Sequence, residues 1–86
     1  MTSAQIKKQV TRKLEAAGIH PDTFTAKKDG TVEVKRGYYY RHGQTSEKWA
    51  QRIQAALGSE FKVIDHRDDF RAWPKDSEFV AVVALA

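Results

Sequence analysis

The chain of 86 residues contains no cysteine, only two prolines and no long hydrophobic run. Without cysteine it can form no disulfide framework, no thiolate nucleophile and no cysteine-based zinc site. No stretch approaches the roughly 20 apolar residues of a membrane span, and residues 1–20 lack the apolar block of a signal peptide. We therefore predict a single small domain over residues 1–86 that is soluble and cytoplasmic.

The positive charge lies mainly in the first two thirds of the chain. Residues 1–57 hold eleven Lys and Arg against five Asp and Glu, whereas residues 58–86 hold four against six. A positive surface attracts phosphate backbones or acidic proteins, so either class of partner fits this distribution. The alternative without a partner is that a net charge of +4 keeps a small domain in solution.

Two segments have the apolar periodicity of amphipathic helices. The first covers about residues 4–17, with Thr2 and Gln5 in capping-box positions, and the second covers about residues 46–57, with Thr45 or Ser46 as its cap. A glycine follows each segment, which is typical of a helix C-terminus. The apolar stripes are Ile6, Val10 and Leu14 in the first segment and Trp49, Ile53 and Leu57 in the second.

Residues 23–27 and 31–40 have the pattern of a β-hairpin. A three-residue loop over residues 28–30, with Gly30 at a positive φ, places Phe24 opposite Val34 and puts the apolar residues on one face. A two-residue loop would set Phe24 opposite Lys35, so the hydrophobic pattern favours the longer loop. We also predict a bulge at Gly37, strands at about residues 60–66 and 78–86, and a charged turn at residues 65–69.

The predicted fold class is α+β. The order α-β-β-α-β-β indicates a two-layer sandwich in which a four-stranded antiparallel sheet has both helices packed on one face. The chain divides into two αββ units, about residues 1–43 and 44–86. The last strand is apolar on both faces, so either it is central and covered by Phe70, Trp73 or tyrosines, or it forms a homodimer interface.

The hairpin is the strongest functional candidate, because it combines cations with three consecutive tyrosines. Lysine and arginine bind the backbone of single-stranded nucleic acid, and aromatic rings stack on its bases. We predict a non-enzymatic module that binds single-stranded nucleic acid or RNA in preference to a specific duplex sequence. Tyrosine is also a common strand residue, and no known RNA-binding consensus is present. The candidate residues are Lys27, Lys35, Arg36, Tyr38, Tyr39 and Arg41, extended by Lys7 and Lys8.

Two other functions are weaker alternatives. The first is a protein-binding adaptor or inhibitor of bacterial or phage accessory type, acting through the last strand and the loop with Phe70 and Trp73. The second is a metal-dependent nuclease, because Asp22, Glu33 and Lys35 match a P-D…E-x-K pattern. The predicted register sets the two carboxylates on opposite faces, which opposes a shared metal. We predict no cofactor and no metal site.

Overall fold

A computed structural model of the chain describes residues 1–37, 45–69 and 78–86. The elements are α1 (Ser3–Ala16), β1 (Thr23–Ala26), β2 (Val32–Gly37), α2 (Ser46–Leu57), β3 (Phe61–Asp69) and β4 (Glu78–Leu85). The four strands form one antiparallel sheet in the order β1-β2-β4-β3, with α1 against β1 and β2 and α2 against β3 and β4. The predicted α+β arrangement is confirmed.

Side-chain caps set where both helices begin. Gln5 N–H donates to Thr2 Oγ1 at 3.2 Å and Thr2 N–H donates to Gln5 Oε1 at 2.8 Å, so the predicted capping box is present. At α2, Lys48 N–H donates to Thr45 Oγ1 at 3.2 Å. In the described residues, neither helix is long and apolar enough to cross a bilayer.

The hairpin has the predicted register and loop. Lys27 N–H donates to Thr31 O at 2.8 Å, and Gly30 takes a φ of 89°, which a residue with a side chain rarely adopts. Asp29 Oδ1 accepts the Thr31 hydroxyl at 2.6 Å and the Thr31 amide at 3.0 Å, and these bonds hold the pKa of Asp29 below its ordinary value. The loop therefore fixes the pairing of Phe24 with Val34 and of Ala26 with Val32.

The hydrophobic core lies between the helices and one face of the sheet. It contains both predicted helical stripes together with the inward residues of the strands. Burial of this surface is the main favourable term in folding a chain of this size. Its members are Ile6, Val10, Leu14, Ile19, Val32, Val34, Trp49, Ile53, Leu57, Phe61, Phe79, Ala81 and Val83.

The charged turn predicted at residues 65–69 is wrong, because β3 continues to Asp69, which pairs with Glu78 of β4. β3 is an edge strand, and its charged residues Asp65, Arg67 and Asp69 lie on the sheet face turned away from the helices, which we call the open face. Charged side chains are compatible with an edge strand when they face water. The acidic composition of this segment therefore reflects exposure on one face rather than a turn.

The pairing of β2 is regular up to Gly37, where we predicted a bulge, and the residues that follow lie outside the described ranges. Gly37 pairs in regular register with Glu78, and the irregular position in the described sheet lies between Val63 and Asp65, at Ile64. Without this extra residue, Asp65 would point into the core. The bulge keeps Val63 inside and Asp65 outside, and it leaves Ile64 53% exposed.

The apolar strand β4 is central, with β2 along one edge and β3 along the other. Val80 lies on the open face, yet it is completely buried, and its cross-strand partners are Lys35 and Arg67. The aliphatic stems of such side chains can cover a neighbouring valine. Because both backbone edges of β4 are paired, a second copy could reach this strand only through its open face, and the homodimer stays a prediction.

A glutamine from α2 covers part of the free edge of β3. Gln54 Nε2 donates to Phe61 O at 3.0 Å and Gln54 Oε1 accepts Val63 N–H at 2.8 Å. A carboxamide that bonds the carbonyl of one residue and the amide two positions later copies one residue of a parallel strand. The same Nε2 donates to Gly58 O at 2.9 Å, which ties the end of α2 to the edge.

We expect Gln54→Ala to lower the free energy of unfolding by about 1–2 kcal/mol, because these backbone groups lose their partner. We also expect concentration-dependent self-association, since a free strand edge can pair with another chain. Urea denaturation and light scattering measure the two effects, with Gln51→Ala on the exposed side of α2 as the matched control. Equal stability and equal scattering of both variants would contradict the role assigned to Gln54.

Candidate functional site

Three cations converge on one carboxylate on the open face. Lys27 Nζ and Lys35 Nζ lie 3.5 and 3.6 Å from Glu33 Oε1, and an Arg67 guanidinium nitrogen lies 3.0 Å from Glu33 Oε2. The Glu33 side chain is only 8% exposed, whereas those of Lys27 and Arg67 are nearly half exposed. This Glu33 cluster links the hairpin to β3 across the central strand β4.

The cluster holds Glu33 in its charged form. Burial raises the pKa of Glu33, but the hydrogen bond from Arg67 and the charges of Arg67, Lys27 and Lys35 outweigh it, so the pKa lies below its ordinary value. A ligand that drew these cations away would leave a buried carboxylate without partners, which is unfavourable. Lys27 and Lys35 therefore serve as the counter-charges of Glu33.

A second cationic group lies on the helix side of the sheet. The guanidinium carbons of Arg36 and Arg52 lie 5.8 and 5.9 Å from the centroid of the Trp49 ring. Trp49 is 2% exposed, and its Nε1–H donates to Val34 O at 3.1 Å, so the ring has a fixed orientation. Cation–π attraction holds both guanidinium groups beside the indole.

The third cationic group is a row on α1. Lys7, Lys8 and Arg12 are exposed, and none of them forms an ion pair in the part of the chain that the structure describes. Lys8 and Arg12 are one helical turn apart, about 6 Å along the axis, on the side opposite the buried stripe. Lys13 differs, since its Nζ lies 3.4 Å from a Glu60 carboxylate oxygen.

The two layers of the fold carry different charge. The helices α1 and α2 hold six basic residues against two acidic ones. On the open face, the described residues are balanced: Lys27, Lys35, Lys62 and Arg67 against Glu33, Asp65, Asp69 and Glu78. The positive surface in the described part of the molecule is therefore the helix layer.

The structure separates the residues that we predicted as one surface. Lys27 and Lys35 lie together on the open face, Arg36 lies on the helix side, and Lys7 and Lys8 are exposed on α1. Arg52 and Arg67 belong to these cationic groups and were not predicted, whereas Arg12 belongs to the same basic row of the first helical segment as Lys7 and Lys8. The spacing of Arg52 three residues after Trp49 was a usable signal, because such residues share a helix face. Tyr38, Tyr39, Arg41, Phe70 and Trp73 lie outside the described residues.

Serine, histidine and aspartate meet where α2 begins beside β3. Ser46 Oγ lies 2.9 Å from His66 Nδ1 and 3.2 Å from Asp68 Oδ2, and Ser46 N–H donates to Asp68 Oδ1 at 3.1 Å. In a catalytic triad the histidine lies between the other two residues, and the hydroxyl must reach a substrate. Here the serine is central and 4% exposed. This trio therefore anchors the N-terminus of α2 to β3.

The two carboxylates of the nuclease-like pattern have separate partners. Asp22 Oδ2 accepts Gly37 N–H at 2.6 Å, whereas both Glu33 oxygens bind cations of the Glu33 cluster. A shared divalent metal would require both groups to turn toward one point. The geometry of the described residues gives no support to that alternative.

Comparison of the chain with protein-family models, curated proteins and solved structures finds no match. The function proposed below therefore rests on the geometry and the charge of this chain.

Proposed function

We propose that this protein is a small nucleic-acid-binding module in which phosphate groups contact the helix layer. The observation that carries the proposal is the unequal charge of the two layers, with a positive helix layer and a balanced open face. Cations that neutralise phosphates release counterions, which supplies most of the affinity of binding without base recognition. The row of Lys7, Lys8 and Arg12 is available for such contacts.

The hairpin surface is the less favourable site for the same ligand. Contact with Lys27 or Lys35 would compete with the ion pairs to the buried Glu33, and Asp65 and Asp69 lie on the same face. Like charge close to a phosphate raises the free energy of the complex. We therefore assign the row on α1 as the main contact and the Glu33 cluster as a structural element.

Substitution of the α1 lysines tests this assignment. We expect Lys7→Gln with Lys8→Gln to weaken binding to a single-stranded oligonucleotide by about tenfold at low salt. The slope of log K against log salt should fall by about 1.4, since each lost phosphate contact on a single strand removes about 0.7. Fluorescence anisotropy with labelled DNA, RNA and duplex of one sequence measures both quantities.

The matched control is Lys28→Gln with Lys62→Gln. It removes the same charge from two exposed lysines, one in the hairpin loop and one on the open face. We expect this control to change affinity by less than about threefold. Equal weakening by both pairs would show that net charge alone is responsible, and wild-type protein without salt-dependent binding would rule out the nucleic-acid function.

A further inference from the structure

We propose that Arg36 and Arg52 form a binding site for one phosphate group beside Trp49, at the boundary between the two helices. This inference rests on the proposed function and adds a defined contact to it. Arg36 reaches the ring from β2, whereas Arg52 lies about one helical turn beyond Trp49 on α2. The two arginines are thus held by one buried ring although they come from different layers.

Neither arginine has an acidic partner among the described residues, and Arg36 is half-buried. A partly desolvated cation without a counter-ion is in an unfavourable environment, and a bound anion would relieve it. The planar guanidinium donates two parallel N–H groups to phosphate oxygens, so phosphate is the anion that this pair fits best. The contacts with the indole restrict both side chains, which lowers the entropy that they lose on binding an anion.

Space for the ligand exists next to Arg52. A shallow groove of about 350 Å³ lies between the end of α1 and α2. Its volume is several times the roughly 30 Å³ of a water molecule in the liquid. Arg52 is the charged residue of this lining, which does not include Arg36 or Trp49. The lining residues are Ala17, Ile19, Arg52, Ala55 and Ala56.

One acidic group opposes the site. Phe79 of β4 pairs with Arg36 on one side and with Asp68 on the other, so Asp68 lies two strands from Arg36 on the same face of the sheet. Both carboxylate oxygens of Asp68 already accept hydrogen bonds from Ser46. Its charge weakens the attraction of any anion to Arg36. Because chloride cannot accept the paired N–H groups of a guanidinium as phosphate oxygens do, we expect pyrophosphate to bind and chloride at the same ionic strength to bind much more weakly. The phosphate itself could belong to a nucleic-acid backbone or to a free ligand.

Indole NMR of protein with ¹⁵N-labelled tryptophan tests the site directly. Titration with pyrophosphate at constant ionic strength should shift the Nε1–H signal of Trp49. The chain has two tryptophans, so the signal that remains in Trp73→Phe is that of Trp49. We expect Arg36→Gln and Arg52→Gln each to weaken pyrophosphate binding by about tenfold, and Lys28→Gln, a control that removes the same charge from the exposed hairpin loop, to leave it unchanged. Wild-type protein without a shift, or with equal affinity in all three variants, would overturn the proposal. Because Arg52 is exposed, its variant keeps the test valid even if Arg36→Gln fails to fold.

Oligonucleotide titrations of the same variants identify the source of the phosphate. A loss of affinity in Arg52→Gln beyond that of Lys28→Gln would place a backbone phosphate at the site. Pyrophosphate binding by a protein that binds no oligonucleotide would support the site with a free phosphate ligand and reject the nucleic-acid function. Oligonucleotide binding that depends on Lys7 and Lys8, without any pyrophosphate shift, would retain the proposed function and reject the site.

Discussion

Replacement of Trp49 by alanine is expected to lower the free energy of unfolding by about 3–5 kcal/mol, the usual cost of removing a large buried aromatic side chain. Trp49 is 2% exposed and belongs to the core between α2 and the sheet. Its loss also leaves Val34 O without its 3.1 Å donor and removes the ring beside Arg36 and Arg52. A domain of this length has a total stability of roughly 4–13 kcal/mol, so a large part of it depends on this residue.

Urea denaturation followed by far-ultraviolet circular dichroism measures the effect, since the substitution removes a fluorophore. Trp49→Phe should cost less, about 1–2 kcal/mol, because it keeps most of the ring but removes the hydrogen bond to Val34 O. Gln51→Ala on the exposed side of the same helix is the control, with an expected change within about 0.5 kcal/mol. A Trp49→Ala variant as stable as this control would show that the ring does not support the core.

The helices and the hairpin could be predicted because their signals are local. The capping box of Thr2 and Gln5, the glycine after α2 and the apolar stripes each involve residues within a few positions of one another. The hairpin register followed from the positions of Phe24 and Val34 relative to a short loop. Such patterns hold whatever the rest of the chain does, so the structure agrees with them to within about a residue at the helix ends.

The strand predicted at about residues 60–66 is present, but the bulge and the continuation of β3 to Asp69 could not be predicted, because they depend on the neighbouring elements. The bulge at Ile64 changes which residues face the core, and nothing in the local sequence separates a bulged strand from a charged turn. Asp68 lies in register with the buried Phe79, yet it is exposed and accepts two hydrogen bonds from Ser46 of another element. Contacts between residues so far apart in the chain cannot be inferred from the periodicity of apolar residues.

The candidate site also has one part that local sequence predicts and another that depends on the strand order. The hairpin register already places Glu33 on the face of Lys27 and Lys35, so their ion pairs could have been foreseen. The contribution of Arg67 could not, since it requires the strand order β1-β2-β4-β3. The hypothesis of a cationic hairpin surface did not take Glu33 into account, because counting charges along a strand ignores the carboxylate to which they bind. That hypothesis stays a prediction, since Tyr38, Tyr39 and Arg41 lie outside the described residues.

Glu33→Gln is expected to lower the free energy of unfolding by about 1–3 kcal/mol at neutral pH. Removal of one partner of a buried ion pair typically costs about 3–5 kcal/mol, and we expect less here because Lys27 and Arg67 are nearly half exposed and screened by solvent. The glutamine keeps the shape of the side chain but leaves three cations without a counter-charge. Those cations then repel one another across the open face.

The effect of this substitution should depend on pH with a definite sign. The folded-state pKa of Glu33 lies below the ordinary value of about 4.3, so the charged carboxylate stabilises the fold fully above that value. This contribution is lost as the pH falls through the lower folded-state pKa. Wild type and Glu33→Gln should therefore differ most near neutral pH and converge in acid, when stability is measured by urea denaturation from pH 7 to pH 3.

Glu15→Gln, which neutralises an exposed carboxylate of α1, is the control for general acid effects. Its unfolding free energy should stay within about 0.5 kcal/mol of wild type across the same pH series. A constant difference between wild type and Glu33→Gln at every pH would attribute the loss to packing instead of charge. If Glu33→Gln were as stable as wild type at neutral pH, the hairpin lysines would be available to a ligand, and the open face would again become a candidate surface for phosphate.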